Sequence, residues 1–459
     1  MVISKKDKER VLEAIRKGAI DAADLSFPNL IDAIILKMKR EGIIELLEHA
    51  FLDKRSANKN IPFHILLTLA ITAKMKLKTS LTDVPFAISN AETLSEIGWN
   101  IWDNKRGLKE GLMDEGTLRN IVKKYTVEEL IQGYNTYVQE YIFPKKDIVP
   151  DIHILDCTEL EVLLENSNYE GSEVVRDKDG MRRGYKMSTL RGITGDNGIL
   201  EEIKIGSINV HDLELSREMV LKSKMLKFGD ILINDRGFIS RELMNQLKQK
   251  RGVDTYIPLK SNMEAYEQAV MIAKEENKWE AHPNKKRKRQ EIAFVESLGS
   301  YWRSAKPEDD VQINGCVVHD TKMDEYFVIV TTDLGKTAKQ IIKTYELRSE
   351  IEEDYRQIKD FWKIEDFKST KYNFIAFHIV MVLIGYLFFQ LYRDMEEGKK
   401  CEGKSLPVAA KKYVEEGPKS VIVYAGQYFG IFGFLEFIQL YASCNAEVKQ
   451  RLDSILGKV

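Results

Sequence analysis

The sequence predicts an α/β protein with a mixed core, a β-rich insertion and helical regions at both ends. Apolar residues follow a helical spacing from about residue 5 to 140. After Pro144 the pattern changes to short apolar runs bounded by Gly, Asn and Asp, which is typical of strands. Five segments are predicted from these changes: 1–140, 145–260, 261–335, 336–400 and 405–459.

Length and composition fit a soluble globular protein. The chain has 459 residues, of which 44% are hydrophobic and 31% charged, so two to three domains with ample cores are expected. The four cysteines form no CxxC pair, which argues against a zinc site or a disulfide framework and favours a reducing cytoplasm. The charged N-terminus lacks a signal-peptide pattern, so secretion is not expected.

The first segment, 1–140, contains amphipathic stretches that predict packed helices. Residues 117–124 begin with a threonine cap and present Arg119 and Lys123 on a polar face. Two interpretations stay open, a DNA-recognition helix and an ordinary surface helix.

The second segment, 145–260, predicts strands over residues 152–160, 185–191 and 199–205, the last two joined by a turn at 195–198. A helix over 213–226 then leads to a strand at 231. This order matches a ribonuclease H-like fold, in which that strand lies parallel beside the first. A helix over 240–250 and a strand over 255–259 complete the sheet.

Each of the two parallel strands ends in an acid, Asp156 in one and Asp235 in the other. Their adjacency would bring the two carboxylates together. Either aspartate alone is also explained as a turn former or a helix N-cap.

The interval between Asp235 and Glu352 is longer than a helix and a strand require, which implies an insertion over 261–335. Residues 294–298, 311–319 and 326–331 have β character and predict a small antiparallel sheet. The net charge of −2 is low for a DNA-binding protein, but five consecutive cations in the insertion could contact phosphates or could form a solvated loop. These cations are Lys285, Lys286, Arg287, Lys288 and Arg289.

A helix is predicted after the insertion, with Tyr345, Arg348, Glu352 and Lys359 on one face within an arc of roughly 60°. A carboxylate flanked by two cations and a phenol suits a metal ion beside a phosphodiester, although charged faces are often only solvated. Glu352 makes a third carboxylate with Asp156 and Asp235. The opposite face is an apolar stripe suited to docking on a core, formed by Leu347, Ile351, Ile358 and Phe361.

These motifs resemble those of the DDE transposases of bacterial insertion sequences, in the insertion sequence four group. The hallmark Tyr-x2-Arg-x3-Glu-x6-Lys is matched by residues 345–359 at all four positions. The boxes 155–158 and 234–238, around the two aspartates, are also similar and stand in the same order. The resemblance covers about residues 145 to 395.

The resemblance implies a transposase that cleaves DNA at the ends of an insertion sequence and transfers the 3′-hydroxyl ends into target DNA. Asp156, Asp235 and Glu352 would be the catalytic triad, binding two Mg²⁺ or Mn²⁺ ions per active site. Tyr345, Arg348 and Lys359 would hold the DNA end, with further contacts from residues 285–289.

The resemblance also implies roles for the predicted segments. Segment 1–140 would bind the terminal inverted repeats, 145–260 and 336–400 would form the catalytic core, and 405–459 would be a helical dimerisation region for a homodimer on DNA. The alternative in the same family is a catalytically silent or domesticated DNA-binding relative.

The uncharged run 374–392 is long enough to cross a bilayer. Because it is solitary and follows directly on the helix of Glu352, we expect a buried core helix and no membrane partner. A membrane protein built around this run is the rival interpretation.

Overall fold

The computed structural model describes residues 5–26, 28–56, 61–99, 112–178, 180–194, 197–413 and 420–456. The chain divides into two compact units. The middle unit is Val138–Arg356, and the end unit combines Met1–Tyr137 with Gln357–Val459. The two ends of the chain thus fold together, and the boundary between units falls within the predicted segment 336–400.

Helices occur in both units and many begin at a side-chain cap. Thr126 and Thr337, for example, each form a capping box at the start of α7 and α12 below. In chain order the α-helices are α1 (Lys8–Arg16), α2 (Leu30–Arg40), α3 (Leu47–Ala50), α4 (Phe63–Met75), α5 (Ala91–Glu96), α6 (Glu115–Val122), α7 (Val127–Thr136), α8 (Phe143–Lys146), α9 (Asp212–Lys222), α10 (Arg241–Gln246), α11 (Glu264–Glu276), α12 (Ala338–Glu346), α13 (Ser349–Asp360), α14 (Tyr372–Arg393), α15 (Leu406–Tyr413), α16 (Phe434–Ser443) and α17 (Ala446–Leu456).

The strands form one sheet in each unit. In chain order they are β1 (Lys5–Lys6), β2 (Ala22–Ser26), β3 (Ile152–Val162), β4 (Glu173–Asp177), β5 (Gly180–Thr194), β6 (Asn197–Ser207), β7 (Ile231–Asn234), β8 (Asp254–Pro258), β9 (Glu280–Ala281), β10 (Gln290–Val295), β11 (Asn314–Asp320), β12 (Glu325–Thr331), β13 (Ser420–Ala425) and β14 (Tyr428–Gly433).

The sheet of the middle unit has the order β4-β5-β3-β7-β8-β12-β11-β10-β9, and β6 also pairs with β5. β3 is antiparallel to β5 and parallel to β7, which is parallel to β8. The prediction that the strand at 231 lies parallel beside the first strand is confirmed. The antiparallel pairing of β5 with β6 is confirmed as well. Residues 195 and 196 of the predicted turn lie outside the described residues.

The register of β3 and β7 sets the positions of the two aspartates. Ile154 pairs with Ile233, and Leu155 pairs with Asn234, so the next residue of each strand is an aspartate. Asp156 lies within β3, which continues to Val162, whereas Asp235 directly follows β7, so the prediction that both strands end in an acid holds only for Asp235. The parallel register brings the two aspartates beside each other. The buried residues Ile154, Leu155 and Ile233 favour this register and therefore also determine where the acids lie.

The predicted insertion does form antiparallel strands, β10, β11 and β12, close to the expected ranges. It is not a separate small sheet, because β12 pairs with β8 and continues the core sheet without interruption. The predicted small antiparallel sheet of the insertion at 261–335 is therefore an extension of the core sheet. Backbone groups on the edge of β8 are satisfied by this pairing.

The end unit contains a four-stranded sheet of order β1-β14-β13-β2. The predicted N-terminal and C-terminal regions are therefore not purely helical, since each contributes two strands. The β-branched residues of β13, in the sequence Ser-Val-Ile-Val-Tyr-Ala, favour a strand. Their pairing with β2, from Ser420 with Ser26 to Tyr424 with Ala22, fixes the two chain ends to each other.

The predicted buried helix at 374–392 is α14, which packs against α2, α4 and α7 inside the end unit. Among the described residues it is the one helix that is long and apolar enough to cross a membrane. Its most apolar stretch is 94% buried within the protein, as expected for a core helix.

His153 on β3 is fully buried and joins β6 to the residue that precedes β7. Its Nδ1 lies 2.8 Å from Oε2 of Glu201 and its Nε2 lies 3.2 Å from Oδ2 of Asp230. Burial opposes the charged ring, but the two carboxylates outweigh it and raise the pKa of His153 to about 9.

We predict that His153→Gln destabilises the protein by about 3 kcal/mol at pH values below 6.5. The folded pKa exceeds the unfolded value of 6.5, so the stabilisation is present below that pH and is lost as the pH rises through about 9. Chemical denaturation of wild type and variant across this range measures it, with His49→Gln as an exposed-histidine control. A pH-independent difference would mean that His153 is not charged in the folded protein.

Candidate active site

Three carboxylates from separate parts of the middle unit surround one guanidinium. Arg348 Nη1 lies 2.8 Å from Oδ2 of Asp156 and 4.0 Å from Oδ1 of Asp235. Its Nη2 forms an ion pair with the carboxylate of Glu352 one helical turn later. The structure thus brings together four of the predicted site residues.

The three acids differ in exposure. The side chain of Asp156 is 13% exposed, whereas those of Asp235 and Glu352 are 40% and 55% exposed. Burial raises the pKa of Asp156 to about 7. The charge of Arg348 and a hydrogen bond that the Cys157 N–H donates to Oδ1 at 2.8 Å lower this pKa, whereas the charges of Asp235 and Glu352 raise it. The pKa of the buried Asp156 is therefore close to neutral pH, while Asp235 and Glu352 face solvent.

The predicted single helix carrying Tyr345, Arg348, Glu352 and Lys359 is corrected by the structure. α12 ends at Glu346 and α13 begins at Ser349. Between them, hydrogen bonds reach back three residues, from Arg348 N–H to the Tyr345 carbonyl and from Ile351 N–H to the Arg348 carbonyl. This tighter winding has about 3.0 residues per turn, so a face calculated for one α-helix does not hold across it.

Tyr345 and Lys359 are placed differently from the acids. Tyr345 is 8% exposed, and its ring packs 5.9 Å from that of Phe327. Lys359 lies on α13 beyond Gln357, in the end unit, and its ammonium is 3.3 Å from Glu365. The electrostatic partners of Tyr345 include Arg348 and Asp235, so this phenol borders the carboxylate cluster.

The predicted run of five cations, residues 285–289, forms an exposed loop between β9 and β10. Arg287 connects this loop to the end of α12, because its Nε forms an ion pair with Oε1 of Glu346 at 2.9 Å. The loop is therefore anchored beside Tyr345, two residues from Arg348.

Arg191 on β5 is a site-supporting residue that the sequence did not reveal. Its Nε donates to Asp354 at 2.5 Å and its Nη1 to Glu350 at 2.9 Å, and its side chain is 6% exposed. Glu350 and Asp354 flank Glu352 on α13, so this buried ion pair fixes the helix against the sheet. Nothing local in the sequence links a strand residue to acids this far along the chain.

Tyr355 is a second supporting residue. Its hydroxyl donates to the backbone carbonyl of Asp156 at 2.9 Å, which joins α13 directly to β3. Tyr355 lies between the buried residues Ile351 and Ile358 at helical spacing, so extending the apolar stripe would have placed it on the inner face.

The oxygen chemistry of the three acids suits Mg²⁺ or Mn²⁺. In the described part of the chain, no group of three or more His, Cys, Asp or Glu residues is arranged to hold a metal ion. Arg348 supplies the positive charge between the carboxylates instead. The donor set fits a divalent ion provided that the acids turn from the guanidinium toward it.

Comparison with known proteins gives a family for this arrangement. A family model described as transposase DDE domain matches residues 157–388, which is half of the chain. The chain belongs to the DDE transposase family. The match contains Asp235, Arg348 and Glu352 and begins one residue after Asp156. No curated protein matches the chain. Members of this DDE family are metal-dependent enzymes of transposition, which cleave and transfer DNA.

We predict that Arg191→Met destabilises the protein by about 3–5 kcal/mol, because it removes the guanidinium from a buried ion pair with Asp354. The double variant Arg191→Met/Asp354→Leu should recover most of this loss, since an apolar pair can replace a buried ion pair. Urea denaturation of the two variants and wild type measures both effects. Equal stability of the single and double variants would show that the pair does not anchor α13.

Proposed function

We propose that this protein is a transposase of the insertion sequence four group, with Asp156, Asp235 and Glu352 as its catalytic, metal-binding residues. It would bind the terminal inverted repeats of its element, cleave the ends and join the 3′-hydroxyls to target DNA. The observation that carries the proposal is the convergence of these three carboxylates on one guanidinium.

The strand order supports a ribonuclease H-like core. Three antiparallel strands, β6, β5 and β3, are followed across the sheet by the parallel strands β7 and β8. The parallel pairing of β3 with β7 is the one expected from the sequence for such a core, and it puts the first and second acids on neighbouring parts of the sheet.

Two Mg²⁺ or Mn²⁺ ions, when bound, would activate water and stabilise the attacking and leaving oxygens of an in-line displacement at phosphorus. Asp156, Asp235 and Glu352 would hold them. Arg348 would then exchange its carboxylate partners for a phosphate of the DNA end, where a guanidinium also offsets charge on nonbridging oxygens.

The remaining DNA contacts in this proposal come from Tyr345, Lys359 and the exposed loop 285–289. The loop has five cations in solvent and is anchored beside Tyr345 through Arg287. We further propose a bacterial cytoplasmic location and a homodimer on DNA, because joining two ends requires two active sites. Segment 405–459 remains our candidate for the dimer contact.

We predict that Asp156→Asn, Asp235→Asn and Glu352→Gln each abolish strand cleavage but leave binding of end DNA largely intact. The reason is that the carboxylates would hold the ions, whereas affinity comes from many phosphate contacts elsewhere. The assay is cleavage of a supercoiled plasmid that carries the DNA flanking the gene, in Mg²⁺ buffer, with binding measured in parallel.

Wild-type cleavage by any of the three variants would remove that residue from the triad. A wild-type protein that binds the ends without cutting them would instead indicate the silent DNA-binding relative. The matched control is Glu353→Gln, which changes the neighbouring acid of Glu352 on the same helix; its carboxylate pairs with Arg356.

We predict two opposite effects for Arg348→Ala. Affinity for end DNA should fall, and the log-log salt dependence should become shallower by about one unit for one lost phosphate contact. Affinity for Mn²⁺ without DNA should rise, because the carboxylates lose the cation that competes for them. Salt titrations and calorimetry with Mn²⁺ measure the two effects.

Lys359→Ala should affect DNA binding more mildly, since lysine binds phosphate as a point charge. An unchanged salt slope for Arg348→Ala would mean that its guanidinium serves only the carboxylates.

A further inference from the structure

A cation-lined pocket lies in the end unit, apart from the carboxylate cluster of the middle unit. It encloses about 270 Å³ and is bordered by α4, α6 and the segment between α13 and α14. The lining residues include no Asp or Glu, and five of them are cations: Lys74, Arg119, Lys123, Lys368 and Lys371. Thr79, Ser80 and Ser369 also line it, and a lining rich in cations suits phosphate oxygens.

Lys74 forms the inner wall of this pocket. The residue is 2% exposed, and its ammonium donates to the carbonyl of Thr79. An ammonium has three donors, so this carbonyl accounts for one of them. Burial lowers the pKa of Lys74 to about 8, while Asp366 and Asp83 raise it, so the side chain is charged near pH 7. Burying this cation costs free energy that an anion in the pocket would offset.

His378 adds a second buried polar group to the wall. It is 5% exposed, and its Nε2 donates to the carbonyl of Lys363 at 3.2 Å. Within the described residues its Nδ1 is buried and lacks a hydrogen-bond partner. Burial and the nearby charge of Lys74 lower the pKa of His378 to about 3, so Nδ1 is an acceptor suited to a water that hydrates the anion.

The mouth of the pocket is formed by side chains that reach solvent. Arg119 on α6 and Lys123 directly after it are exposed, and Lys368 and Lys371 are exposed on the opposite wall. Asp366, next to the lining residue Phe367, accepts hydrogen bonds from Thr79 at 2.8 Å and from Lys368 at 2.5 Å. That carboxylate therefore orients two lining residues and is itself already engaged.

We propose that this pocket binds a backbone phosphate of duplex DNA, with Arg119 and Lys123 closing on the phosphate from α6. The inference rests on the proposed function and adds to it a phosphate-binding site outside the carboxylate cluster. It also gives the helix at 115–122 a role in holding the DNA backbone, which differs from reading base edges.

The dimensions favour a phosphodiester over a free metabolite. Pockets that enclose whole small-molecule ligands usually hold about 300–1,000 Å³, and this one is smaller. Its open rim of four exposed cations suits a ligand that continues beyond the pocket, as a DNA strand does. Free inorganic phosphate shares the same chemistry, so the experiment must distinguish the two.

The test compares Arg119→Ala/Lys123→Ala with Arg16→Ala/Lys17→Ala in the full-length protein. The control pair also removes one arginine and one lysine, from the exposed C-terminal end of α1 in the same unit. Binding to duplex DNA from the flank of the gene is titrated against salt. For the pocket variant we expect several-fold weaker binding and a slope shallower by about one unit, with the control variant like wild type.

A second variant, Lys368→Ala/Lys371→Ala, removes the cations of the opposite wall and should reproduce the effect. Wild-type slopes for both pocket variants would overturn the proposal. If the DNA slopes are unchanged but inorganic phosphate raises the melting temperature of wild type alone, the pocket is a free-phosphate site and the DNA assignment is wrong. If wild type binds no DNA, the proposed function fails together with this inference, whereas intact DNA binding with unchanged slopes overturns the inference alone.

Discussion

The contact between Arg348 and three carboxylates is the constraint on which the arrangement of the middle unit depends. Asp156, Asp235 and Glu352 would repel one another without a cation among them. The pKa of Asp156 is already raised to about 7, so this carboxylate is close to binding a proton at neutral pH. The guanidinium supplies that cation from within the chain. A cluster with the charge to hold divalent ions can therefore fold before any ion is bound, and the arginine that makes this possible is also suited to bind phosphate.

The cluster is assembled by two different kinds of structure. The β3–β7 pair fixes Asp156 and Asp235 through backbone hydrogen bonds, so their separation is set by sheet geometry. Glu352 belongs to a helix and is held by side chains, namely the ion pairs of Arg191 and the hydrogen bond from Tyr355 to the carbonyl of Asp156. The backbone of the third acid can move only if α13 moves, which makes the buried ion pair of Arg191 a constraint on the position of the Glu352 backbone.

Much of this could be predicted from the sequence, because hydrophobic periodicity is local. The two strands that carry Asp156 and precede Asp235, and their parallel pairing, followed from apolar runs and chain order. The break between α12 and α13 could not be predicted, since it depends on a few backbone hydrogen bonds that reach back three residues and have no signal in the side-chain pattern. The supporting role of Arg191 could not be predicted either, because its partners Glu350 and Asp354 lie on a helix far along the chain. The insertion was correctly predicted as antiparallel strands, but the pairing of β12 with β8 is a long-range contact that no local pattern encodes.

The net charge of −2 would argue against binding a polyanion if charge acted as a sum over the molecule. Phosphate affinity depends on cations within a few ångströms, because charges farther apart than about 8–10 Å are largely screened at physiological salt. Within the described residues, cations are clustered in this way in the loop 285–289 of the middle unit and in the pocket around Lys74 of the end unit. Elsewhere many lysines and arginines pair with acids, as Arg182 does with Glu159 and Asp177. The charges of such pairs cancel in the net charge and do not weaken either cationic cluster. Acidic composition and DNA binding are compatible here because the charges are segregated.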